Sequence, residues 1–259
     1  MKTIKSSGKT KNVTRRTKST RMVNWAASYL PYEGILSELL LGQPEACKTL
    51  AALMATQVNR SMLSEPPISP RVLLVGPPSS GKTFAVENVA RILNYPNVTL
   101  NMGLVSPEGY RGTNLSDALR ALVDSGGIGG IDRIQKCSII VLDEIDKVIR
   151  RSKSDKWVEQ LQFATLPLLN GDPILLERDE DYQANTVSTR GSMVFLMGVF
   201  PGTRATCWSN LCNSQRTLRK FGFCDEWVSR LTHVIYLKPL TRKEFYKVLE
   251  REAKSFAPL

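Results

Sequence analysis

Residues 72–83 read Val72-Leu73-Leu74-Val75-Gly76-Pro77-Pro78-Ser79-Ser80-Gly81-Lys82-Thr83. A short apolar run leads into a loop bounded by two glycines, and Lys-Thr then opens a helix-competent stretch from Phe84 to Leu93. The pattern is G-x-x-x-x-G-K-[ST], set between a buried strand and a helix. In that setting a nucleoside triphosphate is gripped mainly by backbone. Gly76 and Gly81 are expected to take dihedrals that a Cβ would forbid, so that successive N–H groups curl around phosphate oxygens. The helix that follows turns its positive end toward the same anion. Lys82 would reach the β- and γ-phosphates, and the Thr83 hydroxyl is placed for Mg²⁺.

Working outward, further strand candidates are Val98–Asn101, Ser138–Leu142, Met193–Met197 and His233–Leu237, beside Val72–Val75. Helical stretches fall between them at 82–94, 114–124, 156–169 and 215–229. Strands alternating with helices imply a parallel sheet covered on both faces, an α/β three-layer sandwich with five strands. Ahead of it, Trp25 to Leu41 is a partly helical lead-in. Pro44 suits the first turn of a helix running from Ala46 to Met62. Gly126 to Gly130 reads as a flexible loop. A last helix is expected from Thr241 to about Ser255. The domain reading is an arm at 1–24, a nucleotide-binding domain at 25–240 and the start of a helical lid at 241–259.

The sequence has a net charge of +11, unevenly spread. Residues 1–21 hold eight lysines and arginines and no acid, which leaves 27 basic against 24 acidic residues elsewhere. Such an arm cannot bury enough apolar surface to fold alone and is read as disordered. It could contact nucleic acid through phosphates or serve as a solubilising tail. No apolar run approaches the ~20 residues of a membrane span, and no secretory signal is evident. Five cysteines without metal-ligand spacing read as reduced thiols of a cytoplasmic protein.

Ser138-Ile139-Ile140-Val141-Leu142-Asp143-Glu144 is an apolar strand closing on two carboxylates. Lying beside the strand of the phosphate loop, it would supply Asp143 to hold Mg²⁺. Glu144 would orient and deprotonate the water that attacks the γ-phosphate. A glutamate at the second position favours hydrolysis over nucleotide sensing.

With these motifs in place the sequence resembles the AAA+ module of the Clp/HslU type. GPPSSGKT at 76–83, GYRG at 109–112, VLDEIDKV at 141–148 and KFGFCDEWVSRL at 220–231 follow the order of ClpX over roughly residues 30–250. The resemblance implies the cofactors ATP and Mg²⁺, and LLGQPEA at 40–46 would set Leu40, Leu41 and Gly42 against adenine. It also implies a homo-oligomeric ring, a hexamer, in which Arg230 acts as an arginine finger on the neighbouring subunit. Gly109, Tyr110, Arg111 and Gly112 match the aromatic pore loop that grips a protein substrate.

Departures from the pattern are as informative. Thr203 to Ser209 stands where the peptidase-docking tripeptide would be, which argues against a ClpP-like partner. Glu177 to Asp181 is acidic where the pore-entrance loop of the family is basic. About twenty residues follow position 240, so the resemblance implies a shortened lid, without its sensor arginine and without one wall of the ATP pocket. Phe195-Leu196-Met197-Gly198 offers no polar first sensor at its end, and Ser192 stands at its start. Two readings stay open: an ATP-driven protein remodeller, and a nucleic-acid-associated helper ATPase of replication, conjugation or transposition that uses the basic arm. A scaffold that binds ATP and scarcely hydrolyses it is a third.

Overall fold

The structure is a computed structural model and describes residues 25–64, 66–104, 115–125, 130–150, 156–176 and 186–255. Five parallel strands form its centre: β1 (Arg71–Val75), β2 (Asn97–Asn101), β3 (Ser138–Asp143), β6 (Ser192–Gly198) and β7 (His233–Tyr236). Their order across the sheet is β2-β3-β6-β1-β7. A small antiparallel hairpin, β4 (Pro173–Leu175) with β5 (Thr186–Ser188), stands apart. The helices are α1 (Trp25–Leu39), α2 (Pro44–Ser61), α3 (Lys82–Leu93), α4 (Leu115–Ser125), α5 (Gly130–Lys136), α6 (Ile145–Arg150), α7 (Lys156–Asn170), α8 (Leu211–Phe221), α9 (Asp225–Ser229) and α10 (Arg242–Ser255).

Alternation along the strands divides the core in two. Side chains one residue apart leave a strand on opposite faces. Leu73 and Val75 join Leu100, Ile140, Leu142, Val194 and Leu196 beneath the helices that follow β2, β3 and β6. Val72 and Leu74 join Ile139, Val141, Met193, Phe195 and Ile235 beneath α1, α2 and α3. All five residues of β1 and all seven of β6 are buried. A strand wet on neither face is expected to be nearly all apolar, and beyond their polar first residues, Arg71 and Ser192, these runs are. The three-layer α/β sandwich expected from the sequence is the fold found.

Several local expectations change. The acidic strand β3 does not neighbour β1, because β6 lies between and pairs with both. The single helix expected over 215–229 is two. It breaks at Gly222, whose φ of 103° ends α8 in a left-handed turn that glycine adopts without strain. Its start moves back to Leu211, where the Asn210 side chain caps by accepting the Asn213 N–H at 2.9 Å. Gly130 opens α5 rather than closing a loop. The helix α6 and the hairpin were not foreseen.

The strand expected at Val72–Val75 in fact begins one residue earlier, at Arg71. Arg71 is 1% exposed, and its guanidinium donates to five backbone carbonyls. These are Leu169 (2.9 Å), Ser69 (3.0 Å), Ser192 (2.7 Å), Leu168 (3.3 Å) and Thr189 (3.2 Å). Burial pushes its pKa down to about 10, so it stays charged at neutral pH. The last turn of α7, whose carbonyls carry the negative end of the helix dipole, provides two of the acceptors. Arg71→Met should therefore strand several buried carbonyls and cost at least about 3 kcal/mol. Denaturant titration of the two chains measures this, and a loss below about 1 kcal/mol would show that the carbonyls find other partners.

A candidate nucleotide site at the carboxyl edge of the sheet

In a parallel sheet all strands point the same way, so the segments leaving β1, β3 and β6 meet at one edge, where ligands of such folds bind. Gly76 to Gly81 leaves β1 there and folds over the start of α3. Gly76 is required for space rather than for an unusual dihedral. A Cβ on it would lie 2.7 Å from the Leu237 carbonyl oxygen and 2.6 Å from Ser80 Oγ. The left-handed residues of the loop are Ser79 (φ 60°) and Gly81 (φ 91°), the latter being the N-cap of α3. Ser80 Oγ is buried and makes no hydrogen bond. Pro77 is half-buried and Pro78 exposed along the loop's outer rim.

Lys82 turns back into this loop. Its Nζ donates to the carbonyls of Gly76 (2.8 Å) and Pro77 (2.9 Å). Burial lowers its pKa, while Asp143 and Asp146 oppose that shift. The lysine thus shares a field with two carboxylates that β3 and α6 bring to the same edge. Thr83 lies exposed in the first turn of α3. A loop with strained turns, an orphaned buried hydroxyl and a lysine content with neutral carbonyls fits a polyphosphate, which would satisfy all three.

The two acids differ in environment. Asp143 is half-buried, and burial raises its pKa, with the Glu144 N–H donating to Asp143 Oδ1 at 2.7 Å as the main opposing influence. Glu144 is held low, chiefly by its ion pair with Lys147 and also by the Asn101 side chain. Its backbone is left-handed at φ 58°, a conformation that costs a non-glycine residue about 1 kcal/mol. That kink separates β3 from α6 and lets successive acids part. Asn101 ends β2 opposite Asp143 in the register and accepts the Gly103 N–H at 2.9 Å.

Asp146 is a residue that the sequence reading missed. It is 5% exposed, and its Oδ1 accepts the Val199 N–H at 3.2 Å, linking α6 to the end of β6. Gly198 makes room for this, since a Cβ there would press on the Phe200 ring at 2.6 Å and on Asp146 Oδ1 at 3.2 Å. The signal was present as the second aspartate of DEID, three residues after the first. Asn101 and Lys147 were likewise overlooked, although a polar residue ending a parallel strand points to this edge. Ser192, weighed as a first sensor, lies at the opposite edge and accepts a hydrogen bond from Ser138 Oγ at 2.7 Å.

Beside the phosphate loop is a cavity of about 300 Å³, lined mostly by apolar groups including Leu40, Leu41, Phe84, Leu240 and Val248. Of the residues expected against adenine, Leu40 and Leu41 line this cavity and Gly42 does not. Gly42 has φ 76° and instead abuts Glu244, whose carboxyl would meet a Cβ at 2.6 Å. Gln43 does line the cavity and pairs with both backbone groups of Lys238, at 2.7 and 2.9 Å. Leu240, with Val248 and Arg251 of α10, lines another side of this cavity.

Residues 72–173 match the family described as ATPase family associated with various cellular activities (AAA). The ATP-dependent Clp protease ATP-binding subunit ClpX of Azotobacter vinelandii is 26% identical, over 91% of this chain and 63% of that protein. ClpX 2 of Wolinella succinogenes is 27% identical, over 71% of this chain and 52% of its own length. The chain is therefore similar to AAA ATPases, and to ClpX among them. It spans between half and two thirds of the length of those relatives.

Not every expected AAA+ residue meets at this edge. Arg230 is exposed at the end of α9, before β7, where Thr232 N–H donates to the Arg71 carbonyl at 2.9 Å. That is the edge opposite to the phosphate loop, at least about 10 Å of strand away. Arg230 therefore cannot serve its own subunit's loop. Gly109, Tyr110, Arg111 and Gly112 lie outside the described residues, as do the acidic stretch 177–181 and the basic arm. No described helix is long and apolar enough to cross a membrane.

The raised pKa of Asp143 gives a stability prediction for the nucleotide-free chain. Between the ordinary carboxylate value and the raised one, the folded state holds a proton that the unfolded state has lost. Stability from this group falls as pH rises through that window, so the ionised form is a cost at neutral pH. Asp143→Asn should raise the melting temperature at pH 7 by about 2–4 °C. An unchanged or lower value would mean that attraction to Lys82 outweighs burial.

Proposed function

We propose that this AAA+ chain binds and hydrolyses ATP with Mg²⁺ and works as a ring, a hexamer in which each site is completed by its neighbour. The convergence of Lys82, Asp143 and Asp146 at the mouth of the Gly76–Gly81 loop is the observation that carries the reading. Backbone N–H groups of residues 76–83 and the Lys82 ammonium would hold the phosphates. The base would enter the apolar cavity against Leu40 and Leu41. Thr83 and Asp143 are the residues suited to hold Mg²⁺, which supplies neutralisation of charge on the transferring phosphoryl group.

Glu144 is the general base in this mechanism. At rest its carboxylate is tied to Lys147 and Asn101 and held at a low pKa, which makes it a poor proton acceptor. To act it must leave Lys147 and take a proton from the attacking water. Arg230, unable to reach its own loop, would offer its guanidinium to the γ-phosphate on the next subunit. Such a cation is worth roughly 10³–10⁵ in rate in comparable systems.

Lys82→Ala should abolish nucleotide binding, and Asp143→Asn should remove its Mg²⁺ dependence. Glu144→Gln should bind ATP without turnover, and Arg230→Ala should bind normally yet hydrolyse roughly 10³-fold more slowly. Mixing Glu144→Gln and Arg230→Ala chains restores some hydrolysis only if sites are shared between subunits. Phosphate release and particle mass with ATP measure these, and wild-type turnover by Arg230→Ala or a monomer with ATP would remove the ring.

Kinship with ClpX supports a protein remodeller as the output, with Tyr110 gripping an extended polypeptide. Tyr110→Ala should then keep basal hydrolysis while losing its stimulation by an unfolded protein. The eight basic residues of 1–21 favour a second reading, a helper ATPase on nucleic acid. That reading wins if DNA, rather than unfolded protein, stimulates the ATPase, with steep loss on adding salt.

A further inference from the structure

Arg251 occupies a place in the cavity wall that the mechanism above does not use. Its Nη1 donates to the Leu39 carbonyl at 2.8 Å and to the Glu38 carbonyl at 3.2 Å. These are terminal carbonyls of α1, which have no partner within their own helix and carry the negative end of its dipole. The same guanidinium lies 5.5 Å from the centre of the Phe84 ring, a cation–π distance. Phe84 stands two residues after Lys82, in the first turn of α3. One side chain of α10 thereby joins the segment leading to Leu40 and Leu41 with the helix that opens behind the phosphate loop.

The other end of α10 is fixed separately. Gln43 clasps both backbone groups of Lys238. Thr241 and Glu244 form a capping box, with the Thr241 N–H donating to the Glu244 carboxylate at 2.8 Å and the Glu244 N–H donating back to Thr241 Oγ1 at 3.3 Å. From Glu244 to Arg251 is about 10 Å of helix. Val248 falls between them on the same face, three residues before Arg251 and four after Glu244. Pinned at both ends, α10 presents Val248 to the cavity, which at about 300 Å³ is at the small end of ligand-sized sites.

We propose that Arg251 is a latch that holds the base half of the nucleotide pocket closed and so sets affinity for the base, not for the phosphates. It is a positioning residue: it preforms an apolar slot whose closing would otherwise be charged against binding. The proposal rests on the reading of this cavity as the base pocket. Lysine cannot replace it fully, because an ammonium can donate to the two carbonyls but has no planar face to lay on Phe84.

The test is calorimetric binding of ATP, ADP and inorganic tripolyphosphate, each with Mg²⁺, to the full chain. Arg251→Ala should weaken ATP and ADP by about tenfold, the scale of one cation–π contact with its hydrogen bonds. It should leave tripolyphosphate unchanged. Arg251→Lys should recover part of the loss, and Lys82→Ala should lose all three ligands. Unaltered ATP affinity in Arg251→Ala, an equal fall for tripolyphosphate, or no recovery with lysine overturns the latch alone. A wild-type chain that takes tripolyphosphate as tightly as ATP overturns the base pocket, and one that takes neither overturns the nucleotide function itself.

Discussion

A guanidinium that is 1% exposed must be surrounded by acceptors, and Arg71 finds five carbonyls from the ends of four segments. No carboxylate is among them. The charge is dispersed over dipoles, two of them from the terminus of α7, where a cation is favoured. Because the carbonyls of Ser69, Ser192 and Thr189 converge on one head group, the starts of β1 and β6 and the turn before β6 cannot shift relative to each other. In a parallel sheet a fixed start fixes the finish. Strand lengths then set where the phosphate loop and the end of β6 emerge, several ångströms apart at the other edge. Rigidity at the silent edge thus supplies geometry at the chemical one.

The chemical edge shows the opposite economy. Glu144 and Ser79 adopt left-handed backbone, Ser80 Oγ is buried without a partner, and the Asp143 pKa is raised by burial. Each is a local penalty that a stability-optimised surface would not carry. Such penalties gather where a ligand is to be met, and here they fall on the segments leaving β1 and β3. The core below can bear them because both of its layers are continuous and apolar.

Much of this was legible in the sequence, for identifiable reasons. β1, β3 and β6 were readable because double burial makes each a largely apolar run, and α3 because its phosphate-loop lysine marks its first residue. Arg71 was not legible, since nothing in an isolated arginine announces that five carbonyls await it. The break at Gly222 was hidden by helical composition on both sides. Strand order was misjudged because adjacency in function, phosphate loop to acids, was taken for adjacency in space; β6 and the Asp146–Val199 bond bridge that gap instead. Gly76 was found for the wrong reason, as a dihedral rather than as a close approach to Leu237. The walls contributed by Gln43 and Arg251 depend on contacts some two hundred residues apart, which no local pattern encodes.

Lys82 is engaged within its own loop. Its ammonium is partly desolvated, which lowers its pKa, and it spends its donors on the Gly76 and Pro77 carbonyls of the loop itself. Those bonds are charge-to-neutral. A phosphate oxygen in the same place would make them charge-to-charge, which is roughly twice as strong. The loop is therefore propped in shape by its own lysine and gains when an anion displaces the props. Glu144 has the converse arrangement, a charge-to-charge bond to Lys147, which the proposed general base would have to give up to take a proton from water. In the proposed mechanism, the bonds of Lys82 would thus favour binding, and those of Glu144 would restrain turnover. In the proposed ring the missing incentive would come from outside the chain: Arg230 stands at the far edge of its own sheet, where only a neighbour's phosphate could use it.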